Sequence, residues 1–226
     1  MVISNGFILI IAVAVLGFIV QAKLKSVFSK YSKVLAPGGM TGRQIAEKML
    51  ADNGIYDVRV ISTAGQLTDH YNPAKKTVNL SESVYNQNTV SAAAVAAHEC
   101  GHAVQHARGY APLKMRSAIV PVVQFSSMWS QIIILIGIFT INSFPALFWV
   151  GIAMLASILI FSLITLPVEY DASKRALLWL KSSGSLSVVQ VKQAHEALSW
   201  AARTYLVSAI SALATLIYYL GFARRD

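Results

Sequence analysis

Five consecutive residues, His98-Glu99-Cys100-Gly101-His102, set two imidazoles and a carboxylate at H-E-x-x-H spacing. On an α-helix, residues four apart lie about 40° apart in azimuth and about 6 Å apart along the axis. Two imidazoles so placed can reach one Zn²⁺ at about 2.0–2.1 Å each. Glu99 then points toward the open coordination position, where it can take a proton from water and pass it to a leaving amine. The chemistry that suits this spacing is metal-assisted hydrolysis. The bland alternative is a helix with two surface histidines and a solvated carboxylate. The preceding run Val90-Ser91-Ala92-Ala93-Ala94-Val95-Ala96-Ala97 weighs against it, because the run favours helix and is uncharged, as a buried helix should be. Asn88 or Thr89 can cap the start, and the helix is expected to fray near Gly109 and end by Pro112.

A catalytic zinc usually has three protein ligands and one open position. Glu169, in Pro167-Val168-Glu169-Tyr170-Asp171-Ala172-Ser173, is the best candidate for the third. An acidic residue so close to apolar helix is costly unless it is paired, solvated or bound to a cation. Its alternative is a snorkelling interfacial carboxylate. His106 lies on the His98 face but about 12 Å along the axis, too far to share one ion on a straight helix. It reads as a supporting or surface residue. His70 and His195 are each either a donor to a tetrahedral oxyanion or a structural polar residue. Cys100, about 200° from His98, faces away from such a metal and reads as a small buried thiol.

The elements that position these groups are set by an apolar chain. Of its residues 55% are hydrophobic and 13% charged, with a mean hydropathy of +0.56, whereas soluble domains carry about 25% charge. Four stretches are long enough to cross a hydrocarbon core that needs about 20 apolar residues: residues 5–22, 118–141, 144–166 and 205–222. The second and third are joined by an Asn142-Ser143-Phe144-Pro145 turn and form a helical hairpin. The first lacks a basic leader and a small-residue cleavage site, so it reads as an uncleaved anchor rather than a signal peptide.

Four crossings put segments 23–117 and 167–204 on one side. They hold 17 of the 19 basic residues, and only Arg224 and Arg225 lie opposite. The positive-inside rule makes that side cytoplasmic. The net charge of +9 then has a simple cause, lysines near the bilayer attracted to anionic lipid. A nucleic-acid partner would need a basic soluble face with aromatics, and none is evident. The single cysteine excludes an intramolecular disulfide.

In the first cytoplasmic part, Thr41 caps a helix to Ala51. Asp57–Ser62, Gln66–Tyr71 and Lys76–Leu80 read as strands, the last two around an Asn72-Pro73-Ala74-Lys75 turn. The fold class is a mainly α integral membrane protein with four transmembrane helices and a cytoplasmic α+β part holding a small antiparallel sheet. Val78–Leu80 is expected near an exposed edge, where a peptide could bind by strand addition. In the second cytoplasmic part, 167–204, helix resumes at Ser187 and runs unbroken into the fourth span.

The residues His98 through His106, then Leu166-Pro167-Val168-Glu169-Tyr170-Asp171-Ala172-Ser173, then Ala201-Ala202-Arg203-Thr204-Tyr205, resemble the YugP-like neutral zinc metallopeptidases of bacterial membranes. Leu67-Thr68-Asp69-His70-Tyr71-Asn72-Pro73 also looks like that family. The resemblance covers nearly the whole chain. It implies a zincin-like core of the gluzincin type, one zinc ion, His98, His102 and Glu169 as ligands and Glu99 as base. It also implies distant kinship with the HtpX and CAAX-prenyl proteases, whose ligand Glu usually opens a Glu-x-x-Ala-Asp pattern. Here Ser173 stands in the Asp position. That Asp commonly supports a ligand histidine, and Asp171 is a candidate for the role, although a regular helix points it elsewhere. The expected activity is hydrolysis of peptides or membrane proteins at the cytoplasmic face of the bacterial inner membrane. The zinc is expected within about 5–10 Å of the membrane surface, because Glu169 follows the third span by less than one helical turn. The alternative is a membrane scaffold or pseudoenzyme that retains the metal without proteolysis, which an intact Glu99 argues against. A transporter finds little support, since the spans lack acidic residues.

Overall fold

The computed structural model describes residues 2–223. The chain is mainly helical, in the order α1 (Val2–Tyr31), α2 (Gly42–Asp52), β1 (Arg59–Thr63), β2 (His70–Asn72), β3 (Thr77–Ser81), α3 (Glu82–Tyr85), α4 (Val90–Ala107), α5 (Ala111–Phe139), α6 (Pro145–Ser182) and α7 (Val188–Ala223). α1, α5, α6 and α7 are long and apolar enough to cross a membrane. The apolar stretches expected at 118–141 and 144–166 are parts of longer helices. α5 starts at Ala111 with Pro112 just inside it, where the missing N–H costs nothing. Arg224 and Arg225, which enter the charge argument, lie outside the described residues.

Two compact units divide the chain. The first holds the described residues up to Gln21, Lys114–Leu166 and those from Arg203 onward. Many of its large apolar side chains face outward, among them Phe18, Phe125 and Phe139, as suits helices solvated by lipid. α5 and α6 pack through small residues: a Cβ on Gly137 would lie 2.6 Å from the Phe148 backbone, and one on Gly151 would lie 2.3 Å from Ile134.

The second unit, Ala22–Leu113 with Pro167–Ala202, carries the conventional core. α4 lies at its centre and is buried along most of its length, from Val90 to Gln105. That explains its alanines, since only a slim helix admits neighbours on every side. Ile45, Ala46, Met49 and Leu50 of α2, Val78 and Leu80 of β3, Ala176 and Leu180 of α6, and Ala194, Ala197 and Leu198 of α7 share this core. Thr89 caps α4, accepting from the Ala92 N–H at 3.3 Å. Thr41 and Gln44 form a reciprocal capping box on α2.

The sheet corrects the sequence reading. It is mixed rather than antiparallel, in the order β1-β3-β2, with β1 parallel and β2 antiparallel to β3. Val78–Leu80 is therefore central and not at an edge. The reason is burial: every residue of β3 is buried, whereas β1 and β2 are partly exposed. A strand covered on both faces, Val78 and Leu80 on one and Thr77, Asn79 and Ser81 on the other, takes the middle. β2 is also shorter than the expected Gln66–Tyr71. Gly65 (φ +99°) and Leu67 (φ +58°) hold left-handed conformations that interrupt an extended chain there.

Candidate metal centre

α4 sets His98 and His102 one turn apart, their ring centroids 4.8 Å from each other and nearly perpendicular. Glu169 comes to them from α6. Its side chain is 2% exposed, and its Oε2 lies 3.2 Å from His98 Nε2 and 3.6 Å from His102 Nε2. The three donor atoms fall within 4.8 Å of one another. This convergence depends on the second x of H-E-x-x-H. A Cβ on Gly101 would sit 2.6 Å from the Ala172 carbonyl oxygen and 3.1 Å from its Cα. Glycine on α4 and alanine on α6 thus let two backbones touch one turn from Glu169.

Both imidazoles are held from behind. His98 Nδ1 lies 3.1 Å from Ser173 Oγ. His102 Nδ1 lies 3.0 Å from Gln105 Oε1. The Gln105 amide nitrogen donates to the Val168 carbonyl and to Asp171 Oδ2, each at 2.8 Å. With that nitrogen facing two oxygens, the Gln105 oxygen must face His102 and accept its Nδ1–H. Protonated, His102 donates its Nε2–H toward Glu169; neutral, it carries its lone pair on that same Nε2, free for a metal. Arg175 completes the chain by donating to Asp171 Oδ2 at 2.6 Å. Asp171 does point away from the imidazoles, as the helix geometry requires, and reaches His102 through Gln105. Ser173 bonds His98 itself.

The electrostatics follow from this packing. Burial disfavours the Glu169 carboxylate, but hydrogen bonds from His102 and His98 outweigh it and hold its pKa well below the carboxylate range. Burial also disfavours protonated His102, yet the Glu169 carboxylate prevails and raises its pKa. The site is thus arranged to hold positive charge against Glu169.

Glu99 is buried, and its Oε2 accepts the Tyr71 backbone N–H at 2.9 Å. The Tyr71 hydroxyl lies 2.7 Å from His106 Nδ1, so His106 supports β2 rather than joining the ligating group. His70 is exposed, with Nδ1 2.8 Å from the Thr68 carbonyl oxygen. His195 is exposed on α7, 3.5 Å from Ser199 Oγ. Neither joins the ligating group. Cys100 points to the opposite side of α4, with Sγ 3.5 Å from the Ala46 carbonyl oxygen. Sequence reasoning missed Gln105 and Tyr71. Gln105 had a signal, an amide three residues past a candidate ligand histidine in an apolar helix. Tyr71 had none, because its backbone acts and its side-chain type is irrelevant to that bond.

Over residues 6–224 the chain matches the family described as "Putative neutral zinc metallopeptidase". The chain belongs to this family. It is also 42% identical over 214 residues to "Putative membrane protease YugP" of Bacillus subtilis (strain 168), covering 94% of this chain and 93% of that protein. No solved structure matches it. The donor set fits the zinc that the family's description names. Four ligands at the usual zinc bond lengths, about 2.0–2.1 Å, make a tetrahedron with edges of about 3.3–3.4 Å. The Glu169 contacts of 3.2 and 3.6 Å bracket that edge.

Proposed function

We propose that this protein is a zinc endopeptidase acting at the cytoplasmic face of the bacterial inner membrane. The observation that carries the reading is the buried Glu169 carboxylate facing two imidazole Nε2 atoms, on the helix that also presents Glu99. A zinc ion held by His98, His102 and Glu169 would supply a Lewis acid for a peptide carbonyl and acidify an attacking water. Glu99 takes the proton of that water and returns it to the leaving nitrogen. The Tyr71 N–H occupies Oε2 of Glu99, so the proton is handled at Oε1. Gln105 keeps the neutral His102 lone pair on Nε2, aimed at the metal position, and Ser173 orients the His98 ring. The zincin-like character of the unit rests on this ligand-and-base arrangement.

With spans at 5–22, 118–141, 144–166 and 205–222, both segments that build the site, 23–117 and 167–204, share the side with 17 of 19 basic residues. That supports a cytoplasmic site. Glu169 follows the 144–166 span by three residues, so the substrate class is membrane proteins cut beside the bilayer. Three measurements test the reading. Glu99→Gln should keep its zinc and lose cleavage by at least about 10²-fold, whereas Glu169→Ala should lose the zinc. A Glu99→Gln variant that still cuts would remove the assigned base. A wild-type protein that binds zinc and cuts no peptide would make the non-catalytic scaffold the better reading. A model substrate should be cut faster when anchored in the same vesicle, and equal cutting of its soluble form would sink the membrane-substrate assignment.

A further inference from the structure

A cavity of about 230 Å³ opens beside the Glu99 face of α4, walled by Ile55, Val58, Tyr71, Ala103 and Ala107. Ala103 and His106 stand four and seven residues after Glu99, within about 40° of its azimuth, so the cavity continues along the face that carries the base. Tyr71 joins the two places. Its backbone N–H bonds Glu99 while its ring lines the cavity. The cavity's polar groups are already matched. The Tyr71 hydroxyl meets His106 Nδ1 at 2.7 Å, and the exposed Asp57 and Lys76 form an ion pair with each other at 2.5 Å. A charged guest would find no unmatched counter-charge there, whereas an apolar one would cover aliphatic and aromatic walls. Size agrees, since an apolar cavity of about 150 Å³ holds a benzene ring.

We propose that this cavity receives one large apolar side chain of the substrate, from a residue within two positions of the scissile bond. The proposal rests on the endopeptidase reading above. Its register follows from length: Ala103 lies one helical turn, about 6 Å, beyond Glu99, and an extended chain advances about 3.3–3.6 Å per residue.

The test uses the full-length, zinc-loaded protein in detergent micelles and a peptide library read by mass spectrometry of the products. At one position within two residues of the cut, kcat/KM should favour Phe, Leu or Met over Gly, Asp or Lys by at least about tenfold, the discrimination expected of an apolar pocket. Ala107→Phe and Val58→Phe, which fill the cavity, should lower the large-to-small ratio at that position at least about tenfold, with zinc content unchanged. Should either variant fail to fold, the wild-type profile decides. A wild type that cuts without such a preference, or filled variants with an unchanged ratio, would overturn the cavity assignment and leave the peptidase reading standing. A zinc-loaded wild type that cuts nothing in the library would overturn both.

Discussion

Gln105 makes three hydrogen bonds from a fully buried side chain: to His102 Nδ1, to the Val168 carbonyl and to Asp171. Replacing it by Ala removes all three and leaves the His102 N–H unsatisfied in the interior, while the Val168 oxygen keeps only its partner within α6. At about 1 kcal/mol per neutral bond, more for the one to a carboxylate, the metal-free protein should lose about 3 kcal/mol. Zinc affinity should fall further, because an imidazole without its rear partner is neither oriented nor held in the right tautomer. Losses of about 10–100-fold are usual for such partners. Ser173→Ala removes one bond, to His98, and should cost about 1 kcal/mol and about tenfold in affinity. Gln105→Glu separates orientation from support. It can still accept from His102, but it cannot donate to Val168 and sets a carboxylate against Asp171, so it should not restore stability. The assay is zinc competition against a chromophoric chelator, with thermal unfolding of the metal-free protein alongside. The expected order of zinc affinity is wild type, then Ser173→Ala, then Gln105→Ala. A Gln105→Ala protein that binds zinc within about twofold of wild type and melts at the same temperature would refute the reasoning.

Two more predictions bear on the same helix. Gly101→Ala must push α4 away from α6, since no flexible side chain can yield where a Cβ meets the Ala172 backbone at 2.6 Å; it should destabilise the fold by about 1–3 kcal/mol and reduce zinc content in the purified protein, and a zinc-replete variant of normal stability would show that the close approach is dispensable. Cys100 is fully buried, and burial raises its pKa well above the thiol range; it should resist maleimide at pH 8 in the folded protein and react after denaturation, and rapid native labelling would place the thiol elsewhere.

The α4 part of the candidate site was legible because it is local. His98, Glu99 and His102 are related by one helical turn, and helix geometry alone converts their spacing into a shared direction. The four long apolar helices were legible for a similar reason, since a bilayer imposes length and composition on each one separately. The capping of α2 and α4 by Thr41 and Thr89 is likewise a matter of a few neighbouring residues. The order of strands was not. Whether β3 lies at an edge or in the middle depends on what covers both its faces, and residues far away in the chain supply that cover.

By itself the sequence determined which side chains offer metal-ligating atoms, a base and membrane-spanning length, because those properties belong to residue types and short spacings. Only the tertiary structure decided that Glu169 meets the two imidazoles, that Ser173 and the Asp171–Gln105 pair hold those rings from behind, and that a strand amide at Tyr71 bonds Glu99. The His102–Gln105 bond spans three residues, and the others join residues 28 to 75 positions apart. The contacts between α4 and α6 exist because Gly101 and Ala172 let those two helices touch, and such an approach is settled by packing in three dimensions rather than by any local pattern.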